Sequence, residues 1–167
     1  AYLGVETGDD RLLKEVRKGV TAVEMQQAGR RLIEAGFNLS AMVLLGLAGR
    51  GERSREHALA TAGLCNAMKP AYLAALTVTP VPGTPLYNSL EKGEFELPDA
   101  FETLEEMRIL LENLDVDGLK FVGTHASNYL PITGKFPEEQ ERMLETIDHV
   151  LGSRDRRYLR SEGMRGL

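Results

Sequence analysis

The clearest indication of the fold is the apolar segment Leu39-Ser-Ala-Met-Val-Leu-Leu-Gly46. From Ala41 onward it is apolar at both sets of alternating positions, whereas a strand with one solvent-exposed face alternates apolar and polar residues. Gly36 before it and the glycine-rich Gly46–Gly51 after it limit the run to the length of a strand. The alternative is a segment of a buried helix. The pattern favours a strand covered on both faces, as in a parallel sheet flanked by helices.

The segments on either side repeat this plan of strand and helix. Tyr2–Val5 and Ala71–Thr79 are predicted strands, and Gly118–Thr124 is a candidate for one more short strand. Helical spacing and capping residues predict helices over about 9–18, 21–35, 54–68, 86–92, 98–114 and 137–151. The segment His125–Lys135 is predicted to be a loop. The sequence therefore indicates an α/β fold.

Composition limits the size of the fold and the classes of function. A chain of 167 residues suits one domain, and a net charge of −5 argues against general binding of nucleic acid. No apolar run approaches the roughly 20 residues of a membrane span. The single cysteine, Cys65, excludes an internal disulfide framework and indicates a reducing, cytoplasmic environment. Its place on a helical apolar stripe predicts a buried, unreactive thiol.

Polar residues that could carry chemistry follow the predicted strands, because sites in parallel α/β sheets lie at the carboxyl ends of strands. Glu6 could be a base or a hydrogen-bond acceptor, or it could be a surface carboxylate. The loop Gly46–Gly51 could cradle a phosphate, but it matches neither dinucleotide nor P-loop spacing, and a simple turn is favoured. His125 could be a general base, although an exposed loop histidine is the favoured interpretation. His57 and His149 are predicted on solvated helix faces.

Three motifs, taken in order, resemble the later half of the radical S-adenosylmethionine (radical SAM) domain. They are Tyr2-Leu-Gly-Val-Glu-Thr-Gly-Asp-Asp-Arg-Leu-Leu-Lys14, Met42-Val-Leu-Leu-Gly-Leu-Ala-Gly-Arg-Gly-Glu52 and Thr79-Pro-Val-Pro-Gly-Thr-Pro-Leu-Tyr87. The similarity is greatest to proteins like oxygen-independent coproporphyrinogen oxidase. It implies a partial TIM-like (β/α) barrel in which the three predicted parallel strands are the fourth, fifth and sixth, with flanking helices and a C-terminal helical extension.

The resemblance also implies site residues on the S-adenosylmethionine side of such a barrel. It places Glu6 at the ribose and Lys18, where relatives often have arginine, near the methionine carboxylate. Leu44 and Gly46 match the pattern that packs on adenine, and the backbone of Val78 and Thr79 lines the same base. Relatives can have an acidic residue three positions after that glycine, where this chain has Gly49.

The implied parent enzyme cleaves S-adenosylmethionine at a [4Fe-4S] cluster and uses the 5′-deoxyadenosyl radical to abstract hydrogen from a small-molecule substrate, which the sequence does not identify. The cluster's three cysteines follow the family's first strand and have no counterpart here. Because the chain starts within a strand at Ala1-Tyr2-Leu3, we expect a fragment that is inactive alone. Its predicted parts are residues 1–92, the barrel half; 93–152, the helical extension; and 153–167, a polar tail.

The sequence also bears on the oligomeric state and on other classes of function. The uncovered edge of the Tyr2–Val5 strand and the uncovered apolar side chains that face the barrel interior predict a homodimer of the fragment. It would form by edge pairing or by two facing half-barrels, since such surfaces recruit partners. The alternative function is a non-catalytic nucleotide- or phosphate-binding α/β module that uses Gly46–Gly51, and a fragment with no ligand is the third possibility. Binding of ATP that depends on this loop and not on Glu6 would favour the module.

Overall fold

The computed structural model describes residues 1–166 and shows a single mixed sheet with helices on one side. The strands, in chain order, are β1 (Tyr2–Glu6), β2 (Ser40–Leu45), β3 (Tyr72–Thr77), β4 (Lys120–Gly123) and β5 (Ile132–Lys135). The helices are α1 (Asp10–Glu15), α2 (Ala22–Glu34), α3 (Glu52–Met68), α4 (Pro85–Glu91), α5 (Ala100–Glu112) and α6 (Gln140–Ser153), followed by short 3₁₀ turns at Arg156–Tyr158 and Glu162–Met164.

The sheet is five-stranded with the order β1-β2-β3-β4-β5. The first four strands are parallel, and β5 runs antiparallel to β4. The α/β fold with β2 between β1 and β3, predicted from the sequence, is therefore confirmed. The prediction of a loop over His125–Lys135 is wrong in its second half, where Ile132–Lys135 pairs with β4 as a strand. That strand is short and carries Gly134, which is why its sequence gives little strand signal.

Side-chain burial shows that the sheet has one covered and one open face. Along β2, Ala41, Val43 and Leu45 are buried, while Ser40, Met42 and Leu44 are only partly buried. The helices α3 and α5 contact β2, and α2, α3, α5 and α6 pack in sequence beside one another. The prediction that β2 is covered on both faces is therefore wrong for this chain. Its second apolar face is open.

The start of a helix agrees with the sequence prediction where a side chain caps that helix. Thr21 accepts a hydrogen bond from Glu24 N, and Glu24 accepts one from Thr21 N, so the predicted capping box forms at the start of α2. The start of α3 differs, because its N-cap is Gly51 and not Ser54. Ser54 lies inside the helix, and its hydroxyl donates to Glu106.

Two predictions about the chain's organisation stay predictions. The boundary between residues 1–92 and 93–152 falls between strands of one sheet, since β3 pairs with β4 across it. Strand β1 lies at the sheet edge, and Tyr2 is 82% exposed, which leaves an edge where the predicted self-association could occur. The polar tail predicted over 153–167 contains the two 3₁₀ turns, and Leu167 lies outside the described residues. None of the described helices is both long enough and apolar enough to cross a membrane.

Candidate functional site

A concave space of about 690 Å³ lies at the amino end of the parallel strands. Its lining includes Tyr72, Lys120, Lys135 and Arg142. Lys135 pairs with Glu138 at 3.2 Å, and Arg142 pairs with Glu139 at 2.8 Å. These ion pairs are exposed, so this space is a solvated surface. Functional sites in parallel sheets lie at the opposite end, where the carboxyl ends of the strands meet.

The cavity at the carboxyl edge is the candidate site, with a volume of about 650 Å³. This volume is typical of small-molecule pockets. Leu44 from the end of β2 and Val78 and Thr79 from just beyond β3 line it together. Three of the six residues that the sequence singled out are therefore neighbours in space. The rest of the wall comes mainly from α1, from the turn after β2 and from the segment around α4, with Leu12, Val16, Arg17, Leu47, Pro80, Leu86 and Phe95.

The lining is apolar with charged residues at its rim. Arg53 donates to both carboxylate oxygens of Glu15 at 2.9 Å, which makes a bidentate pair. Arg17 also lines the cavity, next to Lys18 in sequence, and has φ of 57°. Apolar walls offer a surface to a flat base, and charged groups at the rim fix the orientation of a polar ligand.

Glu6 and Lys18 do not line this cavity, and their side chains contact each other instead. Lys18 Nζ donates to Glu6 Oε1 at 2.8 Å, and the two side chains are 29% and 25% exposed. A Cβ atom added to Gly4 would lie 2.7 Å from Glu6 Oε1, so the carboxylate lies over Gly4 on the open face of the sheet. The pairing with Glu6 gives Lys18 a role that the sequence did not predict.

Gly46 does not line the cavity either and lies in the turn that follows β2. It has φ of 79°, in the left-handed region, and a Cβ atom there would lie 3.0 Å from Pro98 Cγ and 3.3 Å from Val78 Cγ1. Only glycine fits both the backbone angle and the close approach. Its N–H donates to Glu106 Oε1 at 2.7 Å. Gly49 N in turn donates to Gly46 O at 3.1 Å, and these bonds define a tight turn.

His57 is buried, and the prediction of a solvated position for it is wrong. Its side chain is 2% exposed and lies behind the sheet near Glu106, which is 1% exposed. The signal was present in the spacing, because His57, Thr61 and Cys65 recur every four residues along the buried stripe of α3. Glu106 similarly stands four residues before Leu110 on the buried face of α5, and the sequence analysis did not single it out.

His125 lies two residues beyond the end of β4 and is exposed, as the sequence predicted. Its Nδ1 accepts a hydrogen bond from Ser127 N at 3.1 Å, and the Ser127 hydroxyl lies 2.9 Å from the same atom. Asn128 is fully buried and donates to Ala75 O and Gly123 O, which fixes the turn. His125 therefore shapes the turn that follows β4.

Metal-binding groups are the last part of the site to consider. Within residues 1–166, no three His, Cys, Asp or Glu side chains are grouped as a metal site. Cys65 is fully buried, and burial raises the pKa of its thiol to about 12. A thiolate is the form that binds iron, so Cys65 is unsuited to that role. These described residues do not fit an iron–sulfur cluster.

The fold resembles that of a solved protein structure. The chain superposes on the archaeal Methanocaldococcus infernus Elp3 with an N-terminal deletion (1–46), with a TM-score of 0.65 and 16% sequence identity. The match covers 98% of this chain and 36% of that chain, so this chain spans about a third of the neighbour's length. No protein-family model matches the chain. The likeness shows a shared mixed α/β, TIM-like fold, and this comparison gives no support to the narrower likeness to coproporphyrinogen oxidase.

Proposed function

We propose that this chain forms the part of a radical SAM barrel that contacts the adenine and ribose of S-adenosylmethionine. One observation carries the proposal: Leu44, Val78 and Thr79 line a single cavity at the carboxyl edge, the same edge at which β1 ends in Glu6. Leu44 and Val78 provide apolar surface for a purine. The resemblance in sequence and the likeness in fold to Elp3 independently support the same class.

Glu6 is the residue that would recognise the ribose in this proposal. Its Oε1 accepts from Lys18, and its second carboxylate oxygen, Oε2, is the acceptor that we assign to the ribose hydroxyls. Hydrogen bonds to an ionised carboxylate are stronger than bonds between neutral groups. Lys18 would act on the ligand mainly by orienting Glu6, which replaces the direct contact with the methionine carboxylate that the resemblance implied.

S-adenosylmethionine, held at a cluster by the parent enzyme, would supply the radical chemistry for hydrogen abstraction from a substrate. The described residues of this chain contribute binding and orientation only, since they do not fit a cluster. We therefore expect the isolated chain to be inactive and to bind the cofactor weakly. The substrate belongs to the parent and is a small molecule in this proposal.

The alternative is a phosphate-binding module built on Gly46–Gly51, and one contact argues against it. The N–H of Gly46, the first amide of the loop, already donates to the Glu106 carboxylate. Glu102 and Glu105 line the space next to the same loop. Arg50 and Arg55 line the same space, and Arg50 pairs with Glu102, so the occupied amide of Gly46 is what disfavours a phosphate here.

Titration of the ¹⁵N-labelled chain with S-adenosylmethionine and, separately, with ATP tests the proposal. We expect S-adenosylmethionine to shift the amide resonances of Glu6, Leu44, Val78 and Thr79, with a dissociation constant in the millimolar range. The Glu6→Ala variant should weaken binding by about 1–3 kcal/mol, the usual loss of a charge-assisted hydrogen bond.

Glu56→Ala is the matched control, because Glu56 also accepts from a cation, Arg11 Nη2 at 2.6 Å, but does so on α3. It should leave binding unchanged. Unchanged binding in Glu6→Ala would remove Glu6 from the site. Shifts caused by ATP that centre on Gly46–Gly51 and are indifferent to Glu6→Ala would replace the proposal with the phosphate-binding module.

A further inference from the structure

A network of buried polar groups lies behind the carboxyl edge of the sheet. Its centre is His57 on α3 and Glu106 on α5, whose side chains are 2% and 0% exposed. Every buried side-chain nitrogen and oxygen within residues 1–166 has a hydrogen-bond partner. Burying charged or strongly polar groups costs free energy unless they are well paired, so such a network needs a structural or functional reason.

Glu106 binds the turn after β2. Its Oε1 accepts from Gly46 N at 2.7 Å, and its Oε2 accepts from the hydroxyl of Ser54. His57 Nε2 lies 3.4 Å from Oε1. The carboxylate therefore holds the backbone of Gly46 in the turn, where its φ is 79°.

His57 connects this turn to the end of β1. Its Nε2 lies 3.0 Å from the carbonyl oxygen of Leu44, which can only accept, so Nε2 carries a proton and donates. Its Nδ1 lies 2.7 Å from Thr7 Oγ1. Thr7 Oγ1 also accepts from Asp9 N at 2.9 Å, so the hydroxyl contacts both the His57 ring and the backbone that follows β1. One imidazole thus joins two strand ends.

The end of β1 is the place where such a connection is needed. Glu6 has φ of 62°, an uncommon angle for a residue with a side chain, and the register with β2 shifts between Gly4 and Glu6. A strained backbone of this kind persists only where neighbouring groups fix it. Thr7, the next residue, is fully buried and anchored on His57.

We propose that His57 and Glu106 are positioning residues that align two strand ends, Glu6 through Thr7 and Leu44 through Gly46, for a ligand at the carboxyl edge. The ligand class is a nucleoside with free ribose hydroxyls. The ligand part of this inference rests on the proposed function, whereas the alignment of the two strand ends does not. Neither His57 nor Glu106 touches the ligand in this arrangement.

Three variants at one turn of α5 test the proposal. Glu106→Leu removes both accepting oxygens, while Glu106→Gln keeps an oxygen for Gly46 N and an amide that can donate to Ser54. Met107→Ala is the matched control, because Met107 is equally buried at 1% exposure and makes no polar contact. Each variant is studied by thermal unfolding, by amide exchange at Gly46 and by NMR titration with S-adenosylmethionine.

We expect Glu106→Leu to speed exchange at Gly46, to move the amide resonance of Glu6, and to weaken binding by about tenfold. Glu106→Gln should restore binding to within about twofold, since its side chain keeps the hydrogen bond to Gly46. Met107→Ala should unfold at a lower temperature and bind as the unaltered chain does. A structural role alone would make binding follow stability in all three variants, and that result would overturn the proposal.

Thr7→Val tests the same connection from β1 and keeps the volume of the side chain, in case Glu106→Leu does not fold. It should also move the resonance of Glu6 and weaken binding. If the unaltered chain binds no S-adenosylmethionine, the proposed function fails, and the resonances alone decide the alignment. A change at Gly46 in Glu106→Leu with no change at Glu6 would then show that the two strand ends are independent.

Discussion

The two faces of the sheet are made from the same strands but differ in what covers them. On the covered face, Val5, Leu73 and Phe121 are fully buried beneath the helices. On the open face, cross-strand register places one residue of each strand in rows. The row nearest the amino end is Tyr2, Ser40, Tyr72, Lys120 and Lys135, and the next is Gly4, Met42, Ala74, Val122 and Thr133.

Because of this difference, we expect stability and ligand binding to depend on different residues. The covered face removes apolar surface from water, which is the main favourable contribution to folding. On the open face, small and apolar residues are partly exposed. The Glu6–Lys18 pair and the cavity lie at the carboxyl end of the strands. Substitutions on the two faces should therefore have separable effects.

The largest expected difference is between Phe121 and its neighbour Val122 on β4. Phe121 is fully buried on the covered face, and Phe121→Ala should lower the free energy of unfolding by about 3–5 kcal/mol because it leaves a cavity. Val122 is partly buried on the open face, and Val122→Ala should cost about 1 kcal/mol or less. Urea unfolding measures both. Equal losses would mean that the open face is covered in solution, and sedimentation would then show the predicted dimer.

A smaller difference is expected between two glycines near the end of β1. A Cβ atom at Gly8 would lie 2.2 Å from the carbonyl oxygen of Ala60 in α3, so Gly8→Ala must displace backbone and should cost about 1–3 kcal/mol. At Gly4 the nearest atom is Glu6 Oε1, the end of a flexible side chain. Gly4→Ala should therefore leave the unfolding midpoint nearly unchanged and weaken binding of S-adenosylmethionine. The opposite pattern would contradict the assignment of faces.

The smallest expected effect concerns pH and Cys65 on the covered face. Burial raises the pKa of this thiol from 9.0 to about 12, so the folded state keeps it neutral while the unfolded state ionises. The folded pKa exceeds the unfolded pKa, so the contribution of the thiol is complete below about pH 9 and is lost as pH rises towards 12.

Between pH 8 and pH 10 the free energy of unfolding should fall by about 1 kcal/mol more in the unaltered chain than in Cys65→Ala. Parallel urea titrations at the two pH values measure this difference. Identical pH dependence in both proteins would show that Cys65 titrates alike in the folded and unfolded states, contrary to its burial beneath the sheet.

Much of the fold could be predicted from local sequence. The apolar runs at Tyr2–Val5 and Leu39–Gly46 and the Pro-Gly segment after Thr79 identified parallel strands and the edge where their ends meet. The capping box at Thr21 fixed the start of α2, because both partners of a cap lie within one turn. Local signals fail where an element gains its partners only on folding, as β5 does by pairing with β4.

The candidate site, like the fold, could be predicted from the sequence only in part. Chain order and strand polarity were enough to bring Leu44, Val78 and Thr79 to one cavity, because parallel strands carry their ends to a common edge. The pairing of Lys18 with Glu6 could not be read from the sequence, since it depends on the angle at which α1 leaves the bulged end of β1. Ala58 and Leu59 are neighbours on α3, yet Ala58 is buried and Leu59 is 38% exposed, because the packing angle of the helix selects the buried stripe.

Periodicity and connectivity were enough to predict the strand–helix order, the parallel polarity of the strands and the end of the sheet that can hold a ligand. The packed structure was needed to show that one face of the sheet is open and that His57 and Glu106 lie buried together. Those two residues are about 50 positions apart in the chain, and the desolvation and hydrogen bonds that define their role arise only when α3 and α5 pack behind β2.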